Sequence, residues 1–351
     1  MKVGLIIPLN TRRATYINNY ISFFQSHHID YKTIVWDRLG GEDKADYPFR
    51  FRIKDSNKFL TLIGYFLLAL KFRRISRKEK FDRIIVFTIA PMFFLGKPFL
   101  TRFRGRFIAD IRDDSPFKRR FPDTLRKMSD LSYATTVSSP KYAAWFNESI
   151  LCHNIATETI REALAYTPHS VRGDVLRIVC AGTMMEEEKN IEIIRELGND
   201  ERVKLSYIGR RNDAKEKIER FVELNGIRNV EFQGEYRQDQ IVDIYRKQAD
   251  LVNIFRVNST VNAEALPNKL YEAAAAGVPI AVFSHNTAVA DYAKAYSLGL
   301  VLEDKPKIGE ELFNRYRDFS FSDYGAGRTA FLRAVLSDLA KFEEMLEGFV
   351  R

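Results

Sequence analysis

The feature that most constrains the fold is an alternation of short apolar runs with helical periodicity, which occurs twice along the chain. In the first half, apolar runs typical of buried strands lie at 3–8, 31–36, 83–88, 106–111 and 133–138. Helical patterns separate them, at 16–28, at 58–80 and from 140 onward, and a polar stretch at 38–57 is predicted to be irregular. The second half repeats the rhythm, with predicted strands at 176–181, 203–208, 230–233, 251–255 and 279–283. Such alternation is typical of parallel sheets covered by helices on both faces, so we predict two doubly wound, Rossmann-like α/β domains.

A polar, breaker-rich stretch at 167–174 divides the two halves. We place the domain boundary there, which gives an N-terminal domain over 1–168 and a C-terminal domain over 169–327. A final helix, 328–351, can pack back on the N-terminal domain. Doubly wound domains bind ligands at the carboxyl ends of their strands, so we expect a cleft between the two sheets that suits a nucleotide diphosphate.

Cysteine usage and apolar run lengths indicate the compartment. The two cysteines, Cys152 and Cys180, are far apart in sequence, which argues against a disulfide framework or a cysteine metal site and favours a reducing cytoplasm. The N-terminal apolar run at 3–9 has no cleavage-like region after it, so we interpret it as a buried strand and not as a signal peptide. The stretch 59–72 is shorter than the roughly 20 residues that span a bilayer, and no transmembrane segment is expected.

Charge is divided unequally between the two halves. Residues 1–169 contain 29 Lys+Arg against 16 Asp+Glu, a net of +13, whereas residues 170–351 contain 26 against 30, a net of −4. The helical pattern at 58–80 ends in cations, and 97–127 interleaves phenylalanines with ten Lys+Arg. Such a half suits an anionic membrane surface, a phosphate-bearing substrate or nucleic acid. A core-facing helix with a solvated basic end is the alternative for 58–80.

The segment 264–280, EALPNKLYEAAAAGVPI, carries the clearest chemical signal. Pro267 fixes the chain, and Asn268 is suited to cap the helix that follows. The first amides of that helix would attract phosphate through their N–H groups and the helix dipole, and Lys269 adds a mobile positive charge. Gly277, followed by a proline, is predicted to end the helix.

Two glutamates in this segment are eight residues apart. Glu272, one turn into the helix, can accept hydrogen bonds from both hydroxyls of a ribose. Glu264, predicted in the preceding loop, can hold the hydroxyls of a sugar. The alternative is an ordinary α/β helix with Gly–Pro punctuation and no ligand.

The same residues resemble the donor-binding signature of family 4 glycosyltransferases, which have the two-domain GT-B fold. PNKLYEAAAAGVP is most similar to the form found in enzymes of bacterial surface-polysaccharide synthesis, such as capsule or O-antigen. The resemblance implies that Glu272 binds the donor ribose, that Glu264 lies beside the donor sugar as a catalytic residue, and that Leu266 belongs to the donor site.

The loop after the strand at 176–181 extends the resemblance. CAGTMMEEEKN is similar to the first loop of the family's C-terminal domain, which implies that Gly182 lines the donor site and that Lys189 contacts the donor diphosphate. Thr183 occupies the place of the family's arginine, so the usual pair of cations is incomplete. Arg210 or Arg211, after the next strand, can substitute, or they form a solvated loop pair.

A further similarity begins at NVEFQGEYRQ, which matches the family's V-x-F-x-G pattern and the helix after it. It implies that Glu235 and Tyr236 lie near the nucleobase. Tyr236 can equally be a surface aromatic residue.

The first half departs more from the family pattern. Its first strand is followed by PLNTRR where a glycine-rich loop is usual, and we treat Asn10, Arg12 and Arg13 as acceptor or phosphate candidates, because arginine forks grip phosphate. Solvated arginines are the alternative.

A second cluster in this half, FIADIRDDSP, is similar to a stretch in related surface-polysaccharide transferases. It ends a predicted strand, where the resemblance makes Asp110, Arg112 and Asp113 active-site candidates. If the reaction inverted configuration, Asp110 or Asp113 would be the base. The alternative is an internal Arg–Asp structural pair.

We therefore expect a glycosyltransferase that moves a sugar from a nucleotide-sugar donor to a glycan acceptor, carried on a lipid diphosphate or free as an oligosaccharide. The family resemblance implies retention of configuration without a metal or other cofactor, and no D-x-D motif is present. The basic half suggests a peripheral position on the inner face of the cytoplasmic membrane. Alternatives are a GT-B-fold nucleotide-sugar epimerase, a catalytically inactive sugar-nucleotide-binding subunit and, with no recognition motif to support it, a nucleic-acid-binding protein.

Overall fold

A computed structural model of the chain describes residues 1–11, 14, 16–38, 40–41, 44–53, 57–168 and 173–351. The chain forms two compact units, which are unit 1 (Met1–Thr157 with Ser337–Arg351) and unit 2 (Glu158–Leu336).

Unit 1 is built on a parallel sheet, in which seven strands lie among the described residues. They are β1 (Lys2–Ile7), β2 (Asp30–Trp36), β3 (Tyr47–Phe49), β4 (Arg83–Phe87), β5 (Phe107–Ile111), β6 (Ala134–Val137) and β7 (Ile150–Leu151). Their order is β3-β2-β1-β4-β5-β6-β7. The strand β3 lies inside the stretch 38–57, which the sequence predicted to be irregular. That prediction is wrong there because the three residues of β3 are only half-buried and show no continuous apolar run.

Helices and two apolar clusters cover the faces of this sheet. The helices are α1 (Ile17–Ser26), α2 (Lys58–Glu79), α3 (Ile89–Arg102), α4 (Pro116–Arg120), α5 (Pro122–Ser129) and α6 (Pro140–Ala143). The end of the C-terminal helix contributes Phe342, Leu346 and Phe349 to one cluster, beside Tyr20 and Phe24 of α1.

Unit 2 repeats the architecture with six parallel strands among its described residues. They are β8 (Leu176–Ala181), β9 (Val203–Ile208), β10 (Val230–Gln233), β11 (Leu251–Ile254), β12 (Ile280–Phe283) and β13 (Gly299–Leu302), in the order β10-β9-β8-β11-β12-β13. The sequence predicted β8, β9 and β10 with their observed bounds. Apolar residues predominate in β8 and β9, which are mostly buried, whereas β10 lies at the edge of the sheet, is half-buried and alternates apolar with polar residues.

The helices of unit 2 connect these strands and pack on the sheet. They are α7 (Thr157–Ala165), α8 (Glu187–Leu197), α9 (Asp213–Leu224), α10 (Ile241–Gln248), α11 (Thr260–Glu264), α12 (Asn268–Ala276), α13 (Thr287–Ala295) and α14 (Ile308–Arg317). A 3₁₀ turn, Gln238–Gln240, precedes α10, and the long helix α15 (Phe321–Val350) follows α14.

The units divide at residue 157, whereas the sequence suggested 168, and a buried arginine explains the difference. Arg328 donates from Nη2 to the Ala163 carbonyl of α7 at 2.7 Å and from Nε to the Ala274 carbonyl of α12 at 2.6 Å. The cation therefore binds the end of α7 to unit 2. The helix α15 also begins before the predicted residue 328, because Gly327 lowers the helical signal; a Cβ there would lie 1.8 Å from the Tyr296 carbonyl oxygen.

The parallel arrangement brings the carboxyl ends of all strands in a sheet to one edge. The loops that carry the candidate site residues leave from those ends, since 182–189 follow β8, 234–236 follow β10 and Asp110 lies at the end of β5. Among the described residues, no helix has the length and apolar character needed to cross a membrane.

Candidate donor site

The helix α12 begins at Asn268, and Pro267 occupies the position that caps it. Pro267 is extended (φ −73°, ψ 152°), its carbonyl accepts the Leu270 N–H at 3.1 Å, and no side chain caps the helix. The predicted capping role of Asn268 is therefore wrong, because the proline takes the cap position and Asn268 becomes the first helical residue. A helix cannot satisfy its own first amides, so this end retains its attraction for anions. Gly277 ends the helix in the left-handed conformation, as predicted.

Lys269 lies at this helix start and reaches back over the sheet. Its Nζ is 3.2 Å from Sγ of Cys180 in β8 and 3.4 Å from the Asn253 carbonyl oxygen of β11. Among the described residues, no carboxylate lies within ion-pair distance of this ammonium group. Its charge is therefore held at the carboxyl ends of β8 and β11 by weak neutral acceptors.

Glu272 lies one turn further along α12 and is buried, with 8% of its surface exposed. Gln238 donates from Nε2 to Glu272 Oε1 at 2.6 Å. Burial raises the pKa of Glu272 to about 7, against the opposing effects of the Gln238 hydrogen bond and the Lys269 charge. Burial and the nearby Glu272 also raise the pKa of Tyr236. A carboxyl group that titrates near neutrality in a polar cluster is typical of binding and catalytic sites.

Gly182 brings the backbone of the β8 loop into this cluster. Its φ is +110°, and a Cβ there would lie 3.9 Å from Lys269 Cε and 4.0 Å from the Tyr236 hydroxyl. A side chain at this position would be strained and would fill the space beside both groups. Gly182, Tyr236 and the pair Lys269 and Glu272, predicted from three separate motifs, therefore lie together.

Two residues that the sequence reasoning missed support this arrangement. A Cβ on Gly209 would lie 2.1 Å from the Gly182 carbonyl oxygen, so the loops after β8 and β9 approach too closely for any side chain there. The glycine directly after a predicted strand was the signal for it. Gln238 is exposed and was assigned no role in the stretch NVEFQGEYRQ, so only the structure shows its bond to Glu272.

Lys189, the other predicted phosphate ligand, is already paired with two carboxylates. Its Nζ lies 2.8 Å from Asp304 Oδ1 and 2.6 Å from Glu192 Oε2. Thr183 is exposed, and Arg210 is half-buried with its Nε lacking a hydrogen-bond partner among the described residues. Of the cations expected around a diphosphate, Lys189 is therefore already neutralised by carboxylates, whereas Lys269 has no ion-pair partner among the described residues.

Glu264 is the last residue of α11 and not a loop residue as predicted. Glu186 positions this segment by accepting the Val257 N–H at 2.7 Å and the Asn262 side-chain amide at 2.9 Å. Glu186 was also missed, because it lies in a run of three glutamates that looks like a solvated surface. Leu266, by contrast, is buried, and Glu235 is exposed.

In unit 1, Asp110 and Arg112 form a closed internal pair. Both are buried; Arg112 Nη2 donates to Asp110 Oδ2 at 2.6 Å, and the Tyr20 hydroxyl donates to the same oxygen at 2.5 Å. Arg112 also donates to the Cys152 carbonyl oxygen at 2.9 Å and to Asn154 Oδ1 at 2.8 Å. This geometry favours the structural alternative for the pair over a direct role in a reaction.

The remaining first-half candidates are dispersed. Asn10 is buried and donates from Nδ2 to Asp37 Oδ1 at 2.7 Å, whereas Asp113 is exposed. Arg12 and Arg13 lie outside the described residues.

Comparison with protein families finds one match, over residues 176–315, to the family described as "Glycosyl transferases group 1". The match begins at β8 and ends within α14, so it contains the whole cluster around α12. Comparison of the sequence with curated proteins gives no match.

Solved structures similar to this chain are GT-B proteins. They include sucrose-phosphate synthase from Thermosynechococcus elongatus (TM-score 0.71, 12% identity, covering 100% of this chain and 99% of that one). A glycosyltransferase from Rickettsia africae has a TM-score of 0.65 at 13% identity, with 100% and 98% covered. UDP-GlcNAc 2-epimerase from Neisseria meningitidis, bound to UDP-GlcNAc, has a TM-score of 0.61 at 12% identity, with 99% and 100% covered. The predicted GT-B fold class is confirmed, and the sequence similarity to the glycosyl transferases group 1 family is confined to residues 176–315.

Proposed function

We propose that this protein transfers a sugar from a nucleotide-sugar donor to a glycan acceptor in bacterial surface-polysaccharide synthesis. The observation that carries the proposal is the cluster of Gly182, Tyr236, Lys269 and Glu272 at the start of α12. It lies within the part of the chain that matches the glycosyltransferase family. A cation, a helix start and a buried carboxyl group together suit a nucleoside diphosphate.

Each member of the cluster has a role that its chemistry suits. Glu272, ionised, accepts both ribose hydroxyls, and Gln238 holds its carboxyl group in place. The amides at the start of α12 and the Lys269 ammonium group bind the diphosphate. Tyr236 lies beside the nucleobase, with Glu235 as a further contact, and Glu264 holds hydroxyls of the donor sugar.

The proposed reaction retains configuration and needs no metal ion. The bond between the sugar C1 and the diphosphate oxygen breaks through an oxocarbenium-like centre. Lys269 and the α12 amides, together with Lys189 and Arg210, stabilise the charge that develops on the leaving diphosphate. That diphosphate takes the proton from the acceptor hydroxyl as the new C1–O bond forms, so no side chain serves as base.

The acceptor is proposed to bind unit 1 as a glycan on a lipid diphosphate, with the protein peripheral to the inner face of the cytoplasmic membrane. The net charge of +13 over residues 1–169 supports an anionic partner. Asp113 is the exposed carboxylate of the FIADIRDDSP cluster, so an acceptor can contact it directly, whereas Asp110 is buried. Asn10, three residues after the end of β1, is a second acceptor candidate.

A product assay tests the proposal against its alternatives. The full chain is incubated with a panel of nucleotide sugars, with and without membrane lipid extract, and nucleoside diphosphate and sugar products are measured. Acceptor-dependent release of nucleoside diphosphate supports the transferase. Conversion of the donor sugar without such release identifies an epimerase, the activity of the Neisseria relative. Binding of a nucleotide sugar without any product identifies an inactive binding subunit.

A further inference from the structure

The outer face of α2 carries an exposed apolar stripe. Phe59, Leu62, Phe66 and Leu70 are 72%, 43%, 49% and 41% exposed, and their spacing of three and four residues places them along one side of the helix. The opposite side packs on the sheet, so closely that a Cβ on Gly64 would lie 2.1 Å from the Trp36 ring. The helix is therefore apolar on both faces, although only one of them contributes to the core.

Such a stripe is unusual on the surface of a folded domain. Single exposed apolar residues are common, but contiguous ones with a polar border mark contact sites. None of these four residues belongs to the two apolar clusters that form the core of unit 1 or to the side chains packed against those clusters. The stripe therefore indicates that α2 contacts an apolar partner outside unit 1.

Cations continue the same face toward the helix end. Arg74, Arg77 and Lys78 are exposed, and they follow Leu70 at the same helical spacing. Leu70, Lys71, Arg74 and Lys78 also line an open groove of about 730 Å³, together with Tyr47 and Ile75. The acid of this helix, Glu79, is bound by Lys2 and Tyr47. Within α2, whose residues are all described, the face thus passes from apolar to cationic, and the helix's one carboxylate is already paired.

We propose that α2 is a membrane-binding element, which lies in the surface of an anionic phospholipid bilayer. Phe59, Leu62, Phe66 and Leu70 enter the boundary between headgroups and acyl chains, and the cations at the helix end contact lipid phosphates. Nucleic acid would match the cations but not the apolar stripe, and an apolar protein partner would leave the cations without partners. The inference rests on the membrane part of the proposed function and is independent of the donor site.

Flotation of the full chain with vesicles tests the inference. The vesicles contain phosphatidylcholine alone or phosphatidylcholine with phosphatidylglycerol. A double variant, Phe59→Ser with Phe66→Ser, is expected to bind anionic vesicles at least about tenfold more weakly for each ring lost. A triple variant, Arg74→Gln with Arg77→Gln and Lys78→Gln, is expected to lose about fivefold per charge and most of the preference for anionic lipid. Leu224→Ser, at a 75% exposed position in unit 2, is the matched control and should bind like the wild type.

A second measurement keeps the apolar stripe intact. Phe66→Trp should show a blue-shifted emission with anionic vesicles, above the background of Trp36 and Trp145, and quenching by brominated lipid. Wild-type binding by the double-serine variant, or an unshifted emission, would overturn the inference. The inference would also be overturned if the wild type formed an oligomer and did not bind vesicles, and if the double-serine variant were monomeric. Nucleotide titrations of the wild type separate the two proposals, because a wild-type protein that binds nucleotide but does not bind anionic vesicles contradicts the membrane element alone.

Discussion

The two sheets share one central strand order, β3-β2-β1-β4-β5 in unit 1 and β10-β9-β8-β11-β12 in unit 2. The polar side chains near the carboxyl ends of their strands, however, are paired differently. In unit 1, Asp110 is closed off by Arg112 and Tyr20. In unit 2, Lys269 contacts only neutral acceptors among the described residues, and the buried Glu272 has a pKa near neutrality.

The comparison distinguishes polar groups that stabilise the fold, such as Asp110 and Arg112, from polar groups that are available to a ligand, such as Lys269 and Glu272. A buried ion pair with its hydrogen bonds complete resists any change, because removing one partner leaves a buried charge. A buried carboxyl group with one amide donor and no ion-pair partner among the described residues remains poorly compensated, and a ligand with two hydroxyls can complete its hydrogen bonds. We therefore propose that the same fold supplies a rigid edge in unit 1 and a ligand-binding edge in unit 2.

Asp110→Ala should give the largest effect, and it should be on stability. The change leaves the Arg112 guanidinium group buried beside Tyr20 without its carboxylate, which costs about 3–5 kcal/mol in the free energy of unfolding of unit 1. Urea unfolding, followed by a probe in unit 1, measures it. Asp113→Ala, at an exposed position, is the control and should stay within about 0.5 kcal/mol of the wild type. An Asp110→Ala protein as stable as the wild type but without activity would instead support a catalytic Asp110.

Glu272→Gln should stabilise the ligand-free protein, and more so at high pH. The folded pKa of about 7 lies above the value of 4.5 expected for an unfolded glutamate, so the ionised form is disfavoured by folding. This cost is absent below about pH 4.5, grows between the two values and is complete above pH 7, where it reaches about 3 kcal/mol. Thermal unfolding at pH 5 and pH 8 compares the variants. An equal melting temperature of variant and wild type at both pH values would show that Glu272 is not held in an unfavourable environment.

Lys269→Ala should weaken nucleoside diphosphate binding by about 10- to 100-fold, because a hydrogen bond to a charged phosphate is lost. Binding of the corresponding nucleoside should change little. Calorimetric titration with both ligands measures the difference, and Lys247→Ala, at an exposed position of α10, serves as the control. Equal losses for nucleoside and diphosphate would place Lys269 away from the phosphates.

Asp304→Asn should have the smallest effect and the opposite sign. It removes the carboxylate 2.8 Å from Lys189 Nζ, so more of that charge becomes available to a diphosphate. We expect severalfold tighter binding of nucleoside diphosphate, in line with the low energy of partly exposed ion pairs. Asp318→Asn, which affects an exposed aspartate of unit 2, is the control. Weaker binding by Asp304→Asn would indicate that the Asp304 pair positions Lys189 for the ligand.

The strands and the cluster around α12 were largely predictable from the sequence. Buried parallel strands leave continuous apolar runs, and the sequence around Glu272 combines a helix start, a cation and a carboxylate in one short stretch. The capping role of Asn268 was not predictable in the same way. Pro267 and Asn268 both suit the start of a helix, and only the backbone decides which of them is the first helical residue.

Pairings between distant residues were beyond the sequence. Lys189 and Asp304 are 115 positions apart, and no periodicity connects them. The same holds for Gln238 and Glu272, because an exposed glutamine carries no signal of the carboxylate that it will bind. In FIADIRDDSP the sequence identified the cluster but left open whether Asp110 faces a ligand or Arg112, since both fit the end of a strand.

The central claim is that the start of α12 binds the nucleotide of a sugar donor. Its most direct test is a calorimetric titration of the full chain with UDP, GDP and ADP, repeated with Glu272→Ala and with Glu223→Ala as an exposed control on α9. The account predicts one-to-one binding of one nucleotide, weakened at least about 30-fold by Glu272→Ala through loss of two charge-assisted hydrogen bonds and unchanged in Glu223→Ala. Absence of binding by every nucleotide, or equal affinity of Glu272→Ala and the wild type, would contradict it.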